Sequence, residues 1–262
     1  MDLGLNGKTA LLTGASRGLG FAAAKVLAQE GVRIAINGRT PQRLEEAAQK
    51  LSSFDTEIIT LPGDVSSQGT AEELVEGTMA AFGTLDLLFI NSGGPPPLPF
   101  EDINDQAWQN AVDLVFMSHV RLIRAALPYL RQSESPAVLS VTSISIKQPI
   151  PNLVLSNSVR SATIGLTKTL ALELGSEGIR FNAILPSWTT TERVNQLMKD
   201  RAERNGTSIE TEINAQSQES PFGRMCTSEE FAKAAAFLLS PAASYITGVM
   251  LTVDGGTYKG TF

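Results

Sequence analysis

Thr13-Gly14-Ala15-Ser16-Arg17-Gly18-Leu19-Gly20 joins a short apolar run, Lys8 to Thr13, to a helical stretch from Phe21 to Gln29. Glycines in such a link allow a tight turn and let another group come close to the backbone. The free N–H groups and positive end of the following helix then suit an anion, and a pyrophosphate is the natural guest. Three glycines in isolation read as a plain turn; their position between a first strand and a first helix reads as a dinucleotide cradle.

Outward from this link, β-branched or apolar runs alternate with longer helical stretches along the whole chain. The runs are Lys8 to Thr13, Val32 to Ile36, Glu57 to Leu61, Leu85 to Ile90, Ala137 to Thr142, Ile179 to Ile184 and Val249 to Val253. Helical stretches lie at Phe21 to Gln29, Pro41 to Leu51, Ala71 to Phe82, Asp105 to Leu130, Leu153 to Leu174 and Ser228 to Leu239. Strands separated by crossover helices form parallel sheets with both faces covered. The expectation is an α/β fold: one doubly wound, Rossmann-type domain over residues 1–262, with a seven-stranded parallel sheet. Two segments interrupt the rhythm. Gly93 to Pro99 is a stiff loop after the fourth strand, where ligands of such sheets bind, and Ser187 to Phe222 is a polar insertion with two short helices around a Gly206 turn, read as a lid.

Composition narrows the function. The chain has 262 residues, 42% of them hydrophobic, and a net charge of −6, so it lacks the basic field that gathers nucleic acid. No apolar run is long enough to span a bilayer. One cysteine, Cys226, and one histidine, His119, are too few soft ligands for a transition-metal centre, so no metal site is expected. The amino-terminal MDLGLNGKTALLTG lacks the basic and apolar regions of a secretory signal, and the expected location is cytoplasmic.

The spacing TGxxxGxG resembles that of the short-chain dehydrogenase/reductase family. The resemblance continues through Gly63-Asp64-Val65, Asn91-Ser92-Gly93-Gly94, Ile164 to Leu174, Arg180 to Pro186, Tyr245 to Gly248 and Val253 to Gly256, and it is strongest toward 3-oxoacyl-[acyl-carrier-protein] reductases. It implies a nicotinamide dinucleotide held by Gly14, Ser16, Arg17, Gly18, Leu19, Gly20, Asn37, Arg39, Asp64, Val65, Asn91, Gly93, Arg160, Pro186, Thr189 and Thr191. At the end of the second strand an acid would bond the ribose of NAD, whereas this chain has Asn37-Gly38-Arg39, with Arg17 nearby. Two guanidinium groups and no carboxylate favour NADP(H) over NAD(H). The resemblance also implies a homotetramer, or a homodimer, built through the two long helices.

The reaction centre departs from the family. Counting back from Gly165-Leu166-Thr167-Lys168, Ser156 stands at the catalytic Tyr position and Arg160 at the Lys position, with Ser143 retained; aligning Trp108-Gln109 and Leu127-Pro128 places Val115 at the Asn position. Arg160 supplies charge but no usable proton, because guanidinium stays protonated at ordinary pH. No other tyrosine is expected at the site: Tyr129 ends a helix, and Tyr245 and Tyr258 belong to the carboxy-terminal segment. His119 has a suitable ordinary pKa but reads better as a packing residue, and Lys147 as a solvated loop residue. Trp188 is expected over the nicotinamide, in the substrate cleft or packed beneath the lid. Pro95 to Leu98, Ile150, Leu153 and Leu155 suggest an apolar cleft for a fatty or cyclic ketone. The expected function is reduction of a carbonyl, 3-oxoacyl or other apolar ketone, or oxidation of an alcohol, with Ser143, Ser156 and Arg160 in the reaction centre. The alternative is a dinucleotide-binding sensor or regulatory subunit without turnover.

Overall fold

A computed structural model describes residues 2–261. Seven parallel strands, β1 (Thr9–Leu12), β2 (Arg33–Gly38), β3 (Ile58–Pro62), β4 (Leu87–Ile90), β5 (Ala137–Val141), β6 (Arg180–Pro186) and β7 (Met250–Val253), form one sheet in the order β3-β2-β1-β4-β5-β6-β7. The helices are α1 (Gly18–Gln29), α2 (Pro41–Leu51), α3 (Thr70–Phe82), α4 (Asp105–Val112), α5 (Ser118–Leu130), α6 (Val154–Glu173), α7 (Glu192–Asn205), α8 (Ile209–Ser217) and α9 (Ser228–Leu239).

Alternation along the strands sorts the core onto the two faces, because successive side chains of a strand point opposite ways. Ala10, Leu12, Ile34, Ile36, Leu87, Phe89, Leu139 and Ile184 pack with Ala23, Ala24 and Leu27 of α1, Leu44 of α2 and Phe231 and Ala235 of α9. The residues between them, Leu11, Ala35, Leu88, Ile90, Val138 and Phe181, pack with Leu74 and Val75 of α3 and Leu122, Ile123 and Ala126 of α5. Buried on both faces, the strands read as nearly continuous apolar runs. Arg180, buried at the start of β6, donates to the carbonyls of Leu238, Leu239 and Ser240 and so caps the carboxyl end of α9, where a cation is favourable.

One expectation needs correction. The stretch Asp105 to Leu130 is not one regular helix, since Asp113–Met117 forms a π turn between α4 and α5. The wider turn frees a carbonyl, and Thr163 Oγ1 of α6 donates to Val115 O at 3.0 Å. The expected lid helices are α7 and α8, joined through Gly206 at φ +66°. The order of the sheet reverses at β1, which lies between β2 and β4, so the carboxyl ends of β1, β4 and β5 open a crevice on one edge.

Candidate functional site

The cradle is built by β1, its link and α1. Gly14 and Gly18 adopt φ +57° and +59°, the left-handed region that favours glycine. Asn91, just past β4, supports the loop from behind: its Nδ2 donates to Gly14 O at 3.0 Å, and its backbone exchanges hydrogen bonds with Thr13 Oγ1. Ala15 N donates to Asn37 O, tying the loop to β2. A Cβ on Gly14 would lie 2.5 Å from Asn91 O, whereas one on Gly18 would meet only Thr191 Cγ2, at 3.8 Å. Arg17 occupies the N-cap of α1 without a side-chain cap, leaving the first N–H groups of the helix without a capping side chain. This open, donor-lined concavity fits a dinucleotide pyrophosphate.

The residues expected at the adenine end are arranged differently from that expectation. Asn37 is buried and its Nδ2 donates to Leu61 O and Gly63 O, so its amide clamps β2 to the turn after β3 and does not face the cleft. Asp64 Oδ1 accepts from the backbone and hydroxyl of Ser66, while its Oδ2 lies 3.9 Å from Arg39. Val65 is buried. Arg17 does not stand free beside Arg39; it bonds Glu192, the first residue of α7, at 2.8 Å, with both side chains more than half exposed. Such exposed pairs contribute little and open readily. The pair nevertheless links the glycine loop to the lid.

Of the residues expected in the reaction centre, Ser143 follows β5 and caps a short 3₁₀ turn, its Oγ accepting from Ser145 N at 3.1 Å. Arg160, one helical turn after Ser156 on α6, is buried and reaches the gap between β4 and β5. Its Nε donates to Ser156 Oγ at 3.1 Å, Nη1 to Val141 O and Thr142 O, and Nη2 to Gly93 O at 3.3 Å. A guanidinium carries five N–H bonds, so one on Nη2 remains for a guest. Burial, with Arg193 nearby, pulls the Arg160 pKa down to about 10, which still leaves it charged at neutral pH. Val115 is fully buried in a small cluster with Ala111, Leu155 and Val159. Leu155 is therefore packed inside rather than lining the cleft, while a backbone bridge joins Leu98 to Leu153.

His119 is fully buried, and burial followed by the Arg160 charge pulls its pKa down to about 3, only partly offset by the Val115 carbonyl. Below neutrality and well into acid it is a neutral imidazole, unable to act as the cationic acid that a free histidine supplies. Tyr258 requires the larger correction. Its ring lies 5.3 Å from Lys147 Nζ, so the carboxy-terminal segment brings a phenol to the loop after β5. No local signal marks this approach, because the two residues lie on separate connections. Thr189 is buried, with its hydroxyl on Ser187 O, and Thr191 caps α7. Of the two threonines only Thr191 borders the cradle. Trp188 stacks with Arg201 of α7 at 5.3 Å and lines a cavity of about 140 Å³ with Gln216, Phe222, Met225 and Val253, beneath the lid.

Comparison with known proteins agrees with this architecture. The family described as enoyl-(acyl carrier protein) reductase matches residues 14–258. The oxidoreductase YvrD of Bacillus subtilis is 31% identical over 99% of both chains, and the 3-oxoacyl-[acyl-carrier-protein] reductase FabG of Staphylococcus epidermidis is 29% identical over 96% of this chain and 99% of its own. The solved structure of L-sorbose reductase from Gluconobacter frateurii, complexed with NADPH and L-sorbose, superposes with a TM-score of 0.95 at 32% identity, covering 99% of this chain and 100% of the other. No helix among the described residues is long and apolar enough to cross a membrane. With a cradle of this form at the switch point of a seven-stranded parallel sheet, and a match over nearly its whole length, the chain belongs to the short-chain dehydrogenase/reductase family of oxidoreductases.

Proposed function

We propose that the protein is an NADP(H)-dependent oxidoreductase that interconverts a carbonyl and an alcohol through a reaction centre lacking the family's Tyr and Lys. The observation that carries this reading is the intact cradle beside Ser143 and a fixed guanidinium with one free N–H. A bound NADPH supplies hydride. Gly14, Ser16, Gly18, Leu19 and Gly20 would seat its pyrophosphate, and Asn91 and Gly93 would border the nicotinamide half. The remaining Nη2 hydrogen of Arg160 would bond the ribose or the guest beside it. Ser143 Oγ, already accepting from Ser145 N, has its own hydrogen available to polarise a substrate oxygen. Ser156 Oγ accepts from Arg160 Nε and can pass its proton outward, directly or through a water.

The preference for NADP(H) rests on Arg17 and Arg39 near the adenine ribose, where both ion pairs are exposed enough to open toward a 2′-phosphate. The NADPH complex of L-sorbose reductase supports the same choice. A cytoplasmic homotetramer or homodimer completes the reading; Leu172 of α6, 75% exposed, suits burial between subunits. A second reading, a dinucleotide-binding sensor without turnover, draws on the burial of Ser156, which leaves its hydroxyl held by Arg160.

Calorimetric titration with NADPH and NADH, then NADPH oxidation with ketones and 3-oxoacyl thioesters, tests both. NADPH is expected to bind more tightly than NADH, with slow turnover that falls in Ser143→Ala. The double variant Ser156→Tyr, Arg160→Lys should raise the rate by about 10²- to 10⁴-fold, the usual worth of a positioned general acid. Turnover at background in both wild type and double variant would leave the sensor reading standing.

A further inference from the structure

Arg160 differs from the other well-buried arginine. Arg180 is neutralised by the carboxyl end of a helix, but Arg160 meets only a serine hydroxyl and strand-end or loop carbonyls, and it joins no ion pair among the described residues. A second guanidinium approaches it from the lid. Arg193, in the first turn of α7, bonds Pro95 O through Nη2 at 3.4 Å and has no carboxylate partner among the described residues. A point one carbon–carbon bond above Gly94 lies 3.6 Å from Arg160 Nη2 and 3.8 Å from Arg193 Nη2, and apart from the adjoining residues of the loop no other group lies within 4 Å.

Two like charges facing one open point repel each other, and Arg193 stands at the positive end of its helix, which adds to the repulsion. The nearest acid in sequence, Glu192, is turned away to Arg17. An anion at that point reverses the balance: one oxygen at hydrogen-bond distance from both groups requires each to shift by only about 1 Å. The point adjoins Gly93 and Gly94 after β4, close to the Arg160 contacts at the end of β5 and so to Ser143. The pyrophosphate seat is elsewhere, on the amino end of α1.

Resting on the oxidoreductase reading, we infer that the substrate carries a carboxylate, held between Arg160 and Arg193 while its carbonyl faces Ser143, so that the substrate class is an apolar oxo acid rather than an oxoacyl thioester. A backbone bridge joins Leu98 to Leu153, so two apolar residues stand near this loop to meet the remainder of the molecule. Because Arg193 belongs to the lid, the carboxylate would also draw α7 onto the cleft.

The test uses the full-length protein saturated with NADP⁺. Hexanoate and hexanamide, neither reducible, are titrated calorimetrically into wild type, Arg193→Met and Arg193→Lys. Hexanoate is expected to bind at least about tenfold more tightly than hexanamide, in keeping with a charge-assisted hydrogen bond. Arg193→Met should abolish the difference, Arg193→Lys should keep part of it, and NADP⁺ affinity should hold in both variants. A parallel arm compares NADPH oxidation with 4-oxopentanoate and its methyl ester; the acid is expected to have the lower KM, and Arg193→Met to raise that KM with little change in kcat. Equal binding of acid and amide by wild type, or discrimination that survives Arg193→Met, overturns the inference. Loss of NADP⁺ affinity in Arg193→Met instead assigns the two arginines to a cofactor phosphate, which also overturns it. Should NADP⁺ fail to bind wild type, the oxidoreductase reading fails by itself, and the same titrations without NADP⁺ still decide the carboxylate site.

Discussion

Two alanine substitutions in the cradle separate its role in folding from its role in binding. Gly14 and Gly18 both adopt left-handed backbone, which costs an alanine about 1–2 kcal/mol. Their surroundings differ. The new Cβ at Gly14 lies 2.5 Å from the backbone oxygen of Asn91 and 2.9 Å from its amide nitrogen, and that oxygen is fixed by Thr13. Relieving such overpacking adds about 1–3 kcal/mol, for a total of about 2–5 kcal/mol. At Gly18 only the tip of Thr191 is near, at 3.8 Å, so the cost stays at about 1–2 kcal/mol. For a chain of this length, each kcal/mol moves Tm by about 2–4 °C. Gly14→Ala is therefore expected to lower Tm by about 4–20 °C and Gly18→Ala by about 2–8 °C, before the small gain from a stiffer unfolded chain. Binding should respond in the opposite order of selectivity. The Gly18 methyl projects into the space above the uncapped start of α1, so NADPH affinity should fall at least about tenfold although the fold survives. Differential scanning calorimetry gives the first quantity and isothermal titration the second. A Gly14→Ala variant no less stable than Gly18→Ala would refute the packing argument, and unchanged NADPH affinity in Gly18→Ala would refute the placement of the anion.

Three further expectations follow from exposed and buried groups. Arg17→Ala should leave Tm nearly unchanged, since its partner Glu192 is 71% exposed, yet weaken NADPH binding while sparing NADH, as read by paired titrations. Glu230 closes the capping box of α9 and pairs with Arg224, which hold its pKa down to about 2 from 4.5; the stabilisation is present above pH 4.5 and fades as pH falls toward 2. Glu230→Gln should thus lower Tm at pH 7, with the gap from wild type narrowing through that acid window. Tyr258→Phe should depress turnover if the phenol beside Lys147 feeds the proton path, whereas an unchanged rate together with a loss in Ser156→Ala would leave that path with the serine; NADPH oxidation assays separate the two.

The cradle and the sheet were legible because their determinants are local: left-handed glycines between a strand and a helix, and apolar runs of the length a covered parallel strand needs. The π turn was not, since Asp113-Leu114-Val115-Phe116-Met117 contains no helix breaker and the freed Val115 carbonyl is satisfied by Thr163, 48 residues away. The ion pair of Arg17 has no sequence signal, because its partner Glu192 lies 175 residues away. Asn37 was read toward the cofactor because its position matches that of a ribose ligand, yet a short amide flanked by two free carbonyls, Leu61 O and Gly63 O, turns inward. Tyr258 is expected away from the loop after β5, and its approach to Lys147 carries no local signal because a carboxy-terminal segment has none for where it docks.

Ser156 and Arg160 are in contact and act as a pair. A guanidinium is longer than an ammonium and planar, and here it spans three carbonyls and a hydroxyl with donors in fixed directions; an ammonium with three donors cannot meet all four. Arg160→Lys alone would leave at least one of these acceptors without its donor in a buried site, and Ser156→Tyr alone would press a phenol against Nε. Each single change is therefore expected to destabilise, and the double change to cost less than the sum, giving a favourable coupling between contacting residues. Ser156 is the small, hydrogen-bonding neighbour that lets a buried arginine reach the ends of β4 and β5 and keep one Nη2 hydrogen unengaged.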